Sequence, residues 1–271
     1  MPEISGFEPG WPSWADLSTP NADESAGFYA GLFGWEAREG AGDPEQTGGY
    51  RIFVKDGKRV AGLMQMQEQP PSWNTYISVS DADEVIEKVK GAGGQALVEP
   101  MDVMDQGRMA FLSDPTGAAL GLWQAKEHKG AELVSEPGAT AWHQLNTRDP
   151  EKAGGFYQAV FGWGNERIDT GGADYWEWQL DGKSVGGMLR MGDDFPDDVP
   201  AHWIVYFAVE DADAAMEQAK EAGAQVRAEP FDTEAGRLAV LTDPHGAAFA
   251  LIDQGGGSVA GGEGREDDEE Q

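Results

Sequence analysis

Apolar positions along the chain switch between two periods. In Phe28-Tyr29-Ala30-Gly31-Leu32-Phe33-Gly34-Trp35, the residues Phe28, Leu32 and Phe33 recur at i, i+4 and i+5. That spacing puts them on one face of a helix that docks on a sheet. Gly34 follows where a helix stops, because glycine accepts the left-handed conformation there. Trp35 opens the next strand. The segments around this helix alternate with period two or run apolar, and they predict strands over 11–18, 35–39, 50–54 and 60–66. Trp14, Asp16 and Ser18 share one face of the first of these. Asp56-Gly57 marks a hairpin between the third and fourth strands.

After Pro70-Pro71 the order restarts. A strand is predicted over 74–79, and a helix over 81–93 with Val85, Ile86 and Val89 inward. Three more strands follow over 96–99, 109–112 and 118–123. Asp114-Pro115-Thr116-Gly117 before the last strand has the Pro and Gly placement of a type I turn. One unit of the chain is therefore βαβββ followed by βαβββ.

Everything then recurs. Phe156-Tyr157-Gln158-Ala159-Val160-Phe161-Gly162-Trp163 stands 128 positions after the first copy, and the offset is 125 at Asp181-Gly182, 130 at Asp211 and 129 at Asp243-Pro244-His245-Gly246. Drifts of a few residues are what loops of a duplicated domain absorb. The predicted organisation is a domain over 8–125, a linker over 126–138, a second domain over 139–253 and a disordered acidic tail over 254–271.

Composition narrows the function classes. The 271 residues suffice for two domains that each bury a core, and there is no cysteine, so disulfides, thiol nucleophiles and thiolate metal sites are excluded. The net charge is −30, and most of it lies outside the tail. Such a surface repels phosphate backbones and anionic lipid, which argues against nucleic-acid and membrane partners. It fits a protein kept soluble by like charge or adapted to salt. The first residues carry neither a basic nor an apolar leader pattern, and no apolar run reaches membrane-spanning length, so a cytoplasmic location is expected.

Paired βαβββ modules with a Phe-Tyr…Phe-Gly-Trp helix and Asp-Pro-x-Gly before the last strand resemble the vicinal oxygen chelate superfamily. That group contains glyoxalases, bleomycin-resistance proteins and extradiol dioxygenases. The likeness covers nearly everything except linker and tail, and it is nearest to two-domain, glyoxalase-like members of the type called hydroxylases. It implies an α+β fold of tandem duplicated domains, each of two βαβββ modules forming an open, curled mixed β-sheet barrel around a pocket.

The resemblance also implies a metal site in many members: a His on the first strand, a His at the start of the fifth and a Glu in the eighth. Imidazoles and a carboxylate there hold a metal that polarises two substrate oxygens. In this sequence the three places fall on Trp14, Asn74 and Gly121, and in the second domain on Trp142, Ile204 and Ala250. None is a usual ligand, so no metal and no other cofactor is expected. Of the histidines, His128 falls in the linker and His245 in a turn. Alternation points His143 away from the pocket, and His202 is expected at its rim.

An aromatic and amide lining remains. The first domain is expected to present Trp14, Asp16, Tyr50, Asn74, Tyr76 and Trp123. The second is expected to present Trp142, Gln144, Asn146, Tyr175, Trp178, His202 and Tyr206. Apolar walls with a few polar handles describe a small-molecule site, although tryptophans that only fill the barrel give the same pattern. The small Gly121 and Ala250 are expected to leave room for a ligand. Arg108 and Arg237 match across the repeats. Each suits a ligand carboxylate, or equally an ion pair with Asp102 and Asp232.

The leading expectation is a metal-free, bleomycin-resistance-like protein that binds a small organic metabolite or drug. The alternative is a lyase, isomerase or hydroxylase acting on an oxygenated small molecule, with acid–base chemistry from Asp16, His202 or a tyrosine. The near-constant offset and short linker further predict a monomer whose domains pack about a pseudo-two-fold axis.

Overall fold

Each half of the chain lays down the same ten elements in the same order. In the first half these are β1 (Pro12–Thr19), α1 (Ala22–Phe33), β2 (Glu36–Glu39), β3 (Arg51–Lys55), β4 (Lys58–Gln65), β5 (Ser72–Ser78), α2 (Ala82–Gly91), β6 (Gln95–Val103), β7 (Gly107–Ser113) and β8 (Ala119–Ala125). The second half repeats them as β9 (Thr140–Thr147), α3 (Pro150–Phe161), β10 (Gly164–Asp169), β11 (Asp174–Leu180), β12 (Lys183–Arg190), β13 (His202–Ala208), α4 (Ala212–Glu221), β14 (Gln225–Thr233), β15 (Gly236–Thr242) and β16 (Ala248–Asp253). The structure, a computed structural model, describes residues 6–42 and 47–255. The expected acidic tail lies, from residue 256 on, outside the described residues.

Local chemistry sets the boundaries. Asn21 caps α1 by accepting from the Glu24 amide at 3.3 Å, and Asp81, Asp149 and Asp211 cap the other three helices in the same way. Gly34 and Gly162 end α1 and α3 with φ of 70° and 76°, the left-handed turn that their place in the sequence predicts. Asp56-Gly57 and Asp181-Gly182 both take positive φ at each residue, as a tight hairpin demands. β6 runs through Pro100 and is longer than the predicted 96–99. It is an edge strand whose register shifts around the proline, so no ladder bond is lost there.

Each half forms one curled, mixed eight-stranded sheet, in the order β2-β3-β4-β1-β5-β8-β7-β6 and its counterpart, giving an α+β fold of two tandem domains. β1 runs parallel to β4 and antiparallel to β5, so the two βαβββ modules meet at the β1–β5 pair.

The helix-side cores are shared between halves. One cluster joins Leu17, Tyr29 and Trp35 of the first module, with Trp73 at the start of the second, to Phe207, Met216, Phe249 and Leu251 of the last. The other joins Ile77, Ile86 and Leu112 of the second module to Phe156, Tyr157 and Trp163 of the third, with Trp203 at the start of the fourth. Tyr29 and Tyr157 are fully buried and lie at the seams, whereas Leu32, expected on the buried face, is only half-buried. Each tyrosine hydroxyl donates across the halves to the Asp of the other Asp-Pro-x-Gly turn: Tyr29 to Asp243 at 3.2 Å and Tyr157 to Asp114 at 3.0 Å. The other carboxylate oxygen of Asp243 accepts from the amides of His245, Gly246 and Ala247, which fixes the turn. At the centre of the seam, Thr75 and His143 hydrogen-bond at 2.8 Å, so His143 does face away from the barrel.

Candidate functional site

On the concave face of the first sheet, alternation along β1 brings up Trp14 and Asp16, and β5 adds Asn74 and Tyr76 in register beside them. The Asp16 carboxyl sits at the centre. Its Oδ2 accepts from Tyr76 at 2.8 Å and Tyr50 at 3.2 Å, and its Oδ1 accepts from Asn74 at 2.9 Å. Trp14 Nε1 donates to the Tyr50 hydroxyl at 3.0 Å and extends the network. Burial pushes the Asp16 carboxyl above the ordinary carboxylate range, against the pull of those three hydrogen bonds. The same burial drives the Tyr50 and Tyr76 hydroxyls well up, so both stay protonated donors.

This barrel is filled by its own chain. Residues 126–138 fold back over the concave face as more than a tether. The His128 ring stands edge-on to Trp14 with centroids 4.4 Å apart and lies 5.5 Å from Trp123, whose Nε1 donates to the His128 carbonyl at 2.8 Å. Ala131 packs against Trp14, Tyr76 and Trp123, with Phe7 alongside. Arg59 holds the segment through Glu132 at 2.7 Å and reaches His128 Nδ1 at 3.3 Å. A guanidinium only donates, so Nδ1 accepts and the proton sits on Nε2, which has no hydrogen-bond partner among the described residues. Burial and Arg59 lower the His128 pKa to about 4. No sequence pattern singles out His128 or Ala131, because a connection has no period to read.

The second barrel repeats the frame with different polar groups. Trp142 Nε1 donates to Tyr175 at 2.9 Å, as Trp14 does to Tyr50. Gln144 replaces Asp16. It accepts from Tyr206 at 2.9 Å and donates to Asn146 at 2.7 Å; Asn146 in turn meets His202 Nε2 at 3.0 Å. His202 Nδ1 lies 2.9 Å from the Pro200 carbonyl, which can only accept, so Nδ1 carries the proton and Nε2 accepts from Asn146. Burial lowers the His202 pKa and raises that of Tyr175 to about 12. Ile204, Ala250 and Ile252 form the floor, with Leu238 and Val240 beside them. Trp142, Tyr175 and His202 are half-buried, as Tyr50 is in the first barrel, whereas Trp14 is 4% exposed.

Three expected site residues lie elsewhere. Trp178 is fully buried in the helix-side core with Tyr157 and Trp163. It stands three positions from Tyr175 on one strand, and odd separations face opposite sides of a sheet. Arg108 pairs with Asp83 of α2 at 2.7 Å and Asp102 at 3.4 Å, and Arg237 pairs with Asp213 of α4 and with Asp232 at 3.0 Å. Both arginines are thus engaged by acids at the helix side, outside the two barrels. The remaining expected residues converge on the two concave faces.

The room expected above Gly121 is taken. A Cβ there would stand 2.4 Å from the Tyr76 ring, so the glycine is required for the tyrosine to lie flat on β8. Gly62 and Gly187 serve the Tyr50 and Tyr175 hydroxyls in the same way.

A superfamily metal does not fit these residues. The three ligand places hold Trp14, Asn74 and Gly121, or Trp142, Ile204 and Ala250, and no group of three His, Asp or Glu among the described residues could hold an ion. Both His202 nitrogens are already engaged. An open groove of about 650 Å³ lies on the helix side between Gly93, the 114–117 turn, Lys152 and Phe156, away from both barrels. No helix among the described residues is long and apolar enough to cross a membrane.

Comparison with known proteins agrees with this architecture. Residues 11–122 match the glyoxalase/bleomycin resistance protein/dioxygenase superfamily, and residues 130–252 match a glyoxalase-like domain. The chain is 43% identical over 261 residues to the "Putative glyoxylase CFP32" of Mycobacterium tuberculosis, covering 93% of this chain and 98% of that protein. It is 38% identical over 277 residues to the anthracycline biosynthesis protein DnrV of Streptomyces peucetius, covering 96% and 99%. Among solved structures, the Mn(II)-bound glyoxalase of Novosphingobium aromaticivorans superposes with a TM-score of 0.61 at 15% identity over 91% of this chain and 83% of that one. The 2,2',3-trihydroxybiphenyl 1,2-dioxygenase of Sphingomonas wittichii gives 0.62 at 13% identity over 90% of each. At such identities the likeness is one of fold.

Proposed function

The chain belongs to the glyoxalase/bleomycin resistance protein/dioxygenase superfamily, and from that premise we propose that it is a metal-free binder of a small, flat organic molecule. The site is the concave face of the second domain. One observation carries the reading: the first barrel is filled by His128 and Ala131 of the same chain and buries Trp14, whereas its counterpart Trp142 in the second is only half-buried. A half-exposed indole above an apolar floor of Ile204 and Ile252, rimmed by Gln144, Asn146 and His202, suits a ring system stacked on Trp142. A relative named for anthracycline biosynthesis is consistent with a polycyclic ligand.

Binding without metal follows from the donor set, since ligand positions carry indole, amide and aliphatic groups. The test is a panel of flat aromatic compounds read by tryptophan fluorescence and thermal shift, with metal analysis of the purified protein. Quenching that weakens by about tenfold in Trp142→Ala supports the reading, one lost ring contact being worth roughly 1 kcal/mol or more. Stoichiometric metal with chelator-sensitive turnover, or no response to any compound, overturns it.

A further inference from the structure

The two barrels differ by one acceptor. In the first, the Tyr50 hydroxyl accepts from Trp14 at 3.0 Å and donates to Asp16 Oδ2 at 3.2 Å. In the second, the Tyr175 hydroxyl accepts from Trp142 at 2.9 Å in the same way. The residue at the Asp16 place is Gln144, and its Oε1 accepts from the Tyr206 hydroxyl at 2.9 Å. Tyr175 then has no acceptor for its proton among the described residues. Gln144 also uses only one of its two N–H groups, toward Asn146 at 2.7 Å. The second barrel therefore has donors to spare where the first has a carboxylate to receive them.

We infer that the second barrel recognises a ligand carrying a neutral acceptor oxygen, a ketone or quinone carbonyl, that takes the Tyr175 hydrogen bond in place of the missing carboxylate. The inference rests on the proposed binding function and specifies its ligand class. Once a stacked ligand shields Tyr175 from water, a donor left without an acceptor is costly, so the ligand that supplies one is selected over its hydrocarbon counterpart. Neutrality follows from the surroundings. Glu177 lies two residues along on the same face as Tyr175 and acts on its ionisation, and the chain carries a net charge of −30. An anionic oxygen would meet repulsion there, and among the described residues no arginine or lysine forms an ion pair with Glu177.

9-Fluorenone and fluorene are flat, neutral and nearly isosteric, and they differ in one carbonyl. Calorimetric titration of the full chain is expected to show fluorenone binding about tenfold tighter than fluorene, the worth of one well-made neutral hydrogen bond. Gln144→Asp supplies the internal acceptor of the first barrel and is expected to erase this preference. Tyr175→Phe is expected to erase it too, and it covers the case in which Gln144→Asp does not fold. The carbonyl stretch of bound fluorenone should lie below its value in aprotic solvent, and Tyr175→Phe should remove that shift. Equal affinity of the wild type for both compounds overturns the carbonyl inference and leaves the binding function standing. Binding of neither compound overturns both. Retention of the preference in folded variants removes Tyr175 as the donor.

Discussion

The Tyr157 hydroxyl donates to the Asp114 carboxylate at 3.0 Å, across 43 residues and from one domain to the other. Tyr157 belongs to the Phe-Tyr helix and Asp114 to the Asp-Pro-x-Gly turn. The two motifs that mark each repeat in the sequence are thus physical partners, each with the other half's copy. Trp203 closes the arrangement by donating to the same hydroxyl at 2.9 Å.

Removing that hydroxyl leaves a buried carboxylate oxygen without its donor. Tyr157→Phe is expected to destabilise the protein by about 1.5–3 kcal/mol, the range for a hydrogen bond to a charged group. Denaturant titration measures it. A double-mutant cycle with Asp114→Asn should show coupling of roughly 1 kcal/mol. Additive effects would mean the contact contributes nothing of its own.

His128 makes stability depend on pH. It is neutral in the fold, with a pKa lowered to about 4 from 6.5, so the unfolded chain takes up its proton first as pH falls. Its contribution is complete above pH 6.5 and is lost between there and about pH 4, a span worth roughly 3 kcal/mol. His143, lowered to about 3, acts in the same direction. His128→Phe should therefore flatten the stability–pH curve over that window without abolishing its slope. Unchanged slopes would show that His128 is not held neutral.

Asp16 works in the opposite sense. Its folded pKa is raised, so the fold holds the proton more tightly than the unfolded chain, and stability falls as pH rises through that range. Asp16→Asn removes the charge and turns one of the two acceptor oxygens into a donor amide, so Asn74 must turn its own oxygen toward it. Its stability relative to the wild type should be greatest at neutral pH and decline in acid. Thermal melts at several pH values decide this, and a difference that does not change with pH would contradict it.

Trp14 and Trp142 hold equivalent places but are expected to answer differently to truncation. Trp14→Ala opens a cavity beneath His128 and should cost about 3–5 kcal/mol. Trp142 is half-exposed, so its removal should cost less stability and show mainly as lost binding of flat ligands. Equal losses of stability in both variants would place Trp142 in the core.

The helix faces through which such domains could associate are already buried between the halves. The chain is proposed to be a monomer, and light scattering should give one chain mass at all concentrations. A steady value of twice that mass would refute the proposal.

Much of the fold was legible because its signals are local. The helix stops at Gly34 and Gly162, the Asp-Gly hairpins and the strand faces of Trp14, Asp16, Tyr76 and Tyr206 follow from backbone chirality and alternation. Trp178 was misplaced because composition outweighed an odd spacing, and alternation alone would have corrected it. The small residue at Gly121 suggested space, but smallness cannot tell a cavity from a neighbour's ring, here Tyr76. The filling of one barrel by residues 126–138 was not legible, since it depends on tertiary contacts of a segment without periodicity.

Tyr29 meets Asp243 over 214 residues of chain. During synthesis the first helix therefore emerges long before its partner turn exists, on the order of ten to forty seconds earlier at ordinary elongation rates. Through that interval Phe28, Phe33 and Trp35 lack the Phe207 and Phe249 surfaces that cover them in the finished protein. The nascent first half therefore carries apolar aromatic surface that only the second half covers. Slowing translation of the second half should lower soluble yield more than slowing the first.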